Sequence, residues 1–181
     1  TGPLLTTYVP EVYKNLKEDS PFEAMLTEEG TRKSVQEQLK LNPDFIKIWY
    51  IVTDKDVEKG ARKNLALVKA AIDEAHKNNK RVAVHATERI TAQLAVEAGA
   101  DFLVHSVDDE IVPDDFVKLL KEKKTVLCPT LVVAGNYGKV LGDTYRFTTD
   151  ELKITHPELA GTIIDYPLPD TALAGMYINF L

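Results

Sequence analysis

Residues 81–105, R-V-A-V-H-A-T-E-R-I-T-A-Q-L-A-V-E-A-G-A-D-F-L-V-H, constrain the fold more than any other stretch. Residues 81–85 and 101–105 read as short, buried strands, and residues 88–98 carry the apolar spacing of a helix between them. A helical connection of that length predicts a parallel pair, because antiparallel neighbours need only a tight turn. Each strand ends in a histidine. Parallel strands deliver their C-terminal ends to one face, where chemistry is built in such folds. Two imidazoles on neighbouring strand ends therefore look like half of a metal site.

The flanking chain repeats the pattern. Residues 44–52, D-F-I-K-I-W-Y-I-V, form a nearly continuous apolar run broken only by Lys47, as expected of a strand buried on both faces. Residues 57–79 are the clearest helix, with Leu65, Val68, Ile72 and Ala75 at helical spacing and His76 on the surface of the last turn. A helix opens near Pro113 and buries Phe116, Leu119 and Leu120, with Lys121, Lys123 and Lys124 closing it. Further strands are expected at 3–7 and 125–128, and a helix at 31–41. Residues 10–30 read as a long polar surface excursion. After residue 130 the glycines Gly135, Gly138 and Gly142 suggest a loose loop, followed by helix on either side of Pro157. The resulting alternation of five strands with helices argues for an α/β fold with parallel strands and outer helices.

Composition removes several classes of function. The chain has 181 residues and a formal net charge of −6, which is no footprint for nucleic acid. No run of about 18 apolar residues is available to span a membrane. The single cysteine, Cys128, excludes an intrachain disulfide and leaves the compartment undefined.

Strand alternation selects three residues for a common face. Val82 and Val84 share one face of their strand, leaving Ala83 and His85 opposite; Ile46 and Ile48 likewise leave Phe45, Lys47 and Trp49 opposite. In 101–105, Phe102 and Val104 are assigned to the helix layer and Leu103 and His105 to the other side. Lys47, His85 and His105 are thus expected to face inward together. A buried lysine is costly unless its charge is removed or paired. Its amine can become a carbamate and ligate metal, it can form a Schiff base with a carbonyl substrate, or it can pair with a carboxylate such as Asp101. From the residues alone, all three remain open.

Taken together, F-I-K-I at 45–48, D-E-A-H-K-N-N-K-R-V-A-V-H-A-T at 73–87, A-V-E-A-G-A-D-F-L-V-H at 95–105 and V-L-C-P-T-L-V-V at 126–133 resemble the amidohydrolase superfamily, in its imidazolonepropionase-like and prolidase-like branch. The resemblance implies a (β/α)8 barrel with one or two divalent metals, usually zinc, that activate water for hydrolysis of amide, peptide or cyclic amide bonds. It makes Lys47 the fourth-strand lysine that is carboxylated in binuclear members. It makes His85 and His105 the metal histidines of the fifth and sixth strands, and Pro129-Thr130 the close of the seventh. Val104-His105-Ser106 stands where many members have Glu-His-Gly. Trp49 and Tyr50, which follow Lys47, and Thr87, which follows His85, are candidates to line a pocket for a dipeptide or cyclic amide, with packing beneath a loop as the alternative.

Two parts of the family's site have no counterpart. No His-x-His pair is present, and the eighth-strand aspartate, the general base, falls outside the chain. A complete barrel needs about 250 residues. The expectation is a single incomplete barrel domain over residues 1–181, about strands 3 to 7, inactive by itself and open to association through its sheet edges. Two other functions compete with the metallohydrolase: a Schiff-base lyase using Lys47, and a non-catalytic half-barrel that docks on a partner.

Overall fold

Alternating apolar runs and amphipathic stretches become a six-stranded, wholly parallel sheet with helices. The strands are β1 (Leu4–Thr6), β2 (Phe22–Ala24), β3 (Phe45–Trp49), β4 (Arg81–His85), β5 (Phe102–Val104) and β6 (Val126–Cys128). A 3₁₀ turn, Glu11–Tyr13, lies between β1 and β2; helices α1 (Glu28–Leu39), α2 (Val57–Lys77), α3 (Arg89–Glu97) and α4 (Asp114–Lys123) link the later strands. This computed structural model describes residues 2–16, 20–165, 170, 172, 174 and 175. The chain divides into two compact units, Thr1–Pro129 and Thr130–Leu181.

In the first unit the sheet runs β2-β1-β3-β4-β5-β6. From β3 onward, spatial order follows sequence order, as a (β/α)8 barrel requires, and the unit is a partial barrel of this α/β class. β2 departs from that order, lying outside β1 at the sheet edge. It was not expected, because the 10–30 stretch reads as surface loop. A three-residue strand is too short to show a period, and only its tertiary ladder reveals it. Leu4 N–H donates to the Pro21 carbonyl, and Met25 N–H to the Thr6 carbonyl, both at 2.8 Å.

The core lies between the sheet and the helices. Ile46 and Ile48 of β3 and Val82 and Val84 of β4 are wholly buried, and they meet Val68, Ile72 and Ala75 of α2 in one apolar cluster. Each such side chain contributes about 1.5–3 kcal/mol by leaving water. Of the helix stripe expected from sequence, Leu65 alone is partly exposed at the margin. α2 starts cleanly because the Asp56 carboxylate accepts the Lys59 N–H at 3.0 Å. Its first turn comes so close to the loop after β3 that a Cβ on Gly60 would meet Val52 Cγ1 at 2.4 Å. In α1, Thr27 caps Gly30 N–H at 3.0 Å.

β5 corrects the face assignment. Register pairs Leu103 with Val84, and Phe102 with Ala83. Leu103 is 1% exposed and belongs to the helix-side core, whereas Phe102 and Val104 face the other way and are only half-buried. Large aliphatic size did not discriminate the two faces of this strand, since both carry apolar side chains.

The second unit contains α5 (Val133–Leu141), α6 (Thr149–Ile154) and α7 (Pro157–Ile164). Its glycines Gly135 and Gly138 lie within α5, where a loop was expected. Helix on both sides of Pro157 matches expectation: Thr148 and Glu151 form a reciprocal capping box for α6, and Pro157 opens α7. Among the described residues, no helix is long and apolar enough to cross a membrane.

Candidate metal centre

β3, β4 and β5 bring their C-terminal ends together. Register pairs Lys47 with Ala83, and Trp49 with His85, so Lys47 and His85 share the face opposite the helix-side core. His105 follows β5, and unbroken alternation would place it with Leu103, facing the helices. Its backbone instead turns left-handed, with φ 84°. That conformation costs a non-glycine residue about 1–3 kcal/mol. The turn swings the ring back: the His85 and His105 rings meet edge to face, 4.4 Å between centroids. His105 N–H still donates to the Cys128 carbonyl at 3.0 Å, so the departure from alternation happens without losing the tie to β6.

Burial sets the charge of this cluster. It pushes His85 down to about 3, helped by His105 and by the Lys47 ammonium, and both imidazoles are uncharged at neutral pH. His105 is likewise lowered, first by burial and then by Lys47. Burial also brings the Lys47 amine down to about 8. Its Nζ reaches the Ile48 carbonyl at 3.4 Å. Asp101, the carboxylate considered as its counter-ion, is engaged elsewhere: it accepts Val82 N–H at 2.7 Å and pairs with His76 Nε2 at 2.8 Å. His76 is half-exposed, as a last-turn surface residue should be, yet it takes part in this tie.

The three pocket candidates separate. Trp49 stacks on Phe22 at 4.9 Å between centroids and meets His85 edge-on at 5.8 Å. Thr87 is half-buried, and its carbonyl accepts Asp108 N–H at 2.9 Å, joining the loops after β4 and β5. Tyr50 is corrected. It is 0% exposed, and its hydroxyl donates to the Ala61 carbonyl of α2, so it is a core post and not a pocket wall. Sequence reading missed Tyr8, Tyr13 and Phe22, which surround a recess of about 520 Å³ beside Trp49. Their signal in the sequence is three aromatic residues between positions 8 and 22.

A metal requires donors in the right state. Neutral imidazole is the ligating form of histidine, and two such rings in contact suit a cation of zinc's preferences. Among the described residues, no group of three or more His, Cys, Asp or Glu side chains is arranged to hold an ion. The two histidines and the lysine are what this cluster offers.

No family model matches the sequence, and no curated protein matches it. Solved structures do. A prolidase complexed with N-methylphosphonate-L-proline superposes with a TM-score of 0.58 at 18% identity, over 99% of this chain and 45% of that one. An amidohydrolase gives 0.56 at 18% identity, over 99% and 48%. The ochratoxinase of A. niger gives 0.53 at 17% identity, over 88% and 32%. The chain spans less than half the length of these proteins. It carries the fold of prolidase and amidohydrolase structures, over part of their barrel.

Proposed function

We propose that this chain is the histidine-bearing part of a metal-dependent hydrolase of the amidohydrolase type, acting on C–N bonds of a small molecule such as a dipeptide or cyclic amide. The contact between the His85 and His105 rings carries the reading. Two neighbouring strands contribute them, and the second accepts an unfavourable backbone conformation that turns its ring toward the first. A divalent cation, zinc by the chemistry of the donors, would be held by His85 and His105, with Lys47 as a further ligand once its amine has added carbon dioxide and released a proton to become a carbamate. Bound there, the cation would supply an activated water for attack on an amide carbonyl. An amine near pKa 8 is uncharged often enough at neutral pH to make that addition.

The chain contains no His-x-His pair. Metal binding without turnover is therefore expected of the isolated chain. Competition against a chromogenic zinc chelator tests the reading: the wild type should bind zinc, and His85→Asn and His105→Asn should each weaken it by about a hundredfold or more. Equal affinity in the wild type and both variants would overturn it.

Lys47 supports one competing chemistry. Its lowered amine is also what a Schiff-base nucleophile needs. Borohydride trapping with a simple aldehyde decides between them: a stoichiometric adduct confined to Lys47 would favour the lyase.

A further inference from the structure

We infer that the recess beside Trp49 is the specificity pocket of this site and takes an aromatic side chain of the molecule whose C–N bond lies at the histidine pair. This rests on the hydrolase reading, and it assigns a substrate class that the histidines alone do not. The recess is lined by Thr7, Tyr8 and Val9 after β1 and by Phe22, Ala24 and Met25 along and after β2, and Phe22 stacks on Trp49 at the end of β3. Tyr8, Tyr13, Phe22 and Met25 form its apolar wall.

Its wall and the metal cluster are one continuous run of rings. Tyr13 meets Phe22 edge to face at 5.0 Å, Phe22 stacks on Trp49 at 4.9 Å, Trp49 meets His85 at 5.8 Å, and His85 meets His105 at 4.4 Å. Two ring contacts thus separate the wall from the imidazoles. That is the reach of a dipeptide, whose backbone extends about 7 Å before its side chains are counted. Ring edges and faces offered together favour an aromatic guest, which pairs edge-on or offset-stacked. The volume of about 520 Å³ is sufficient for an aromatic side chain.

The wall is also held in place before any guest arrives. Thr6 Oγ1 bridges its own turn to β3, accepting Tyr8 N–H at 3.1 Å and donating to the Tyr8 carbonyl at 2.7 Å or the Trp49 carbonyl at 3.1 Å. Thr7 Oγ1 exchanges two hydrogen bonds with Ile51, at 2.6 and 2.8 Å. These hydroxyls fix the β1 loop, which carries Tyr8, against the β3 loop, so this part of the wall needs little ordering on binding.

The chain's sole tryptophan, Trp49, stacks on the wall residue Phe22, so intrinsic fluorescence reports on the recess through that contact. Metal-free protein is titrated with N-acetyl-L-phenylalaninamide and with N-acetylglycinamide. The phenyl probe should give a saturable change with affinity about tenfold or more above the glycine probe, the worth of burying one ring. Ala24→Phe places a ring in the recess from an exposed position and should weaken the phenyl probe by about tenfold, with circular dichroism confirming the fold. Equal affinities for the two probes, or an Ala24→Phe variant that binds the phenyl probe as well as wild type, would overturn the assignment. Zinc competition on the same protein reports the metal reading separately, so failure of either is told from failure of the other.

Discussion

His105 reaches His85 only because its backbone is left-handed: with φ 84° the ring leaves the face that strand alternation would give it and stops 4.4 Å from its neighbour, centroid to centroid. The catalytic geometry proposed for this protein is thus maintained against a local conformational preference, and the cost of that preference is open to measurement.

At this position the usual ranking of glycine and alanine should invert. In an ordinary strand, glycine is the weaker residue by about 0.5–1 kcal/mol. At φ 84° a Cβ is the liability. His105→Gly should therefore be more stable than His105→Ala by about 1 kcal/mol in urea denaturation. Alanine equal to or better than glycine would mean that the turn stores no strain.

His85 should make the metal-free chain sensitive to mild acid. Its folded pKa, about 3, lies below its ordinary value of 6.5 because burial disfavours the cation. Between those values the unfolded chain binds the extra proton, so stability is complete above about pH 6.5 and declines as pH falls toward 3. His85→Asn should remove that part of the decline. Urea midpoints for the two proteins at pH 7.5 and pH 5 check it: the wild type should lose more on acidification than the variant.

Glu74 should behave with a different window. This carboxylate on α2 is 6% exposed, accepts Gln36 Nε2 at 2.9 Å and stands 3.8 Å from Arg32 of α1. The Gln36 hydrogen bond, with Lys77 and Arg32 behind it, holds its pKa below the ordinary 4.5 against the opposing effect of burial. A depressed acid contributes stability above the unfolded value, and the contribution is lost as pH falls through the folded one. Glu74→Gln should cost about 1–3 kcal/mol at pH 7, and the gap should narrow as pH falls below the ordinary 4.5 and through the lowered folded value. A gap constant from pH 7 to pH 3 would remove the carboxylate's charge from the account.

Gly60 separates helix propensity from packing. Alanine at an exposed helix interior is worth about 1 kcal/mol over glycine. Here the new Cβ would lie 2.4 Å from Val52 Cγ1 and 2.8 Å from Asp54 Oδ2. Overpacking of that kind costs about 1–3 kcal/mol, so Gly60→Ala should lower the thermal midpoint. A rise would show that the β3–α2 loop yields freely.

Much of this protein is settled by local pattern. The periods of 2 and 3.6 in residues 44–105 determine that β3, α2, β4 and α3 form in that order, and a helix between strands makes their pairing parallel whatever surrounds them. Lys47 and His85 were legible as partners on one face because both lie inside regular strands, where alternation holds. The sequence could not determine the face of His105, since the sign of one φ angle depends on the ladder to Cys128 and on the packing around it, and histidine encodes neither. Nor could it place β2 or the stack of Phe22 on Trp49. Twenty-six residues in sequence and the strand β1 in the sheet lie between those rings, and a strand of three residues carries no period; only the parallel ladder to β1, a long-range pairing, brings them into contact.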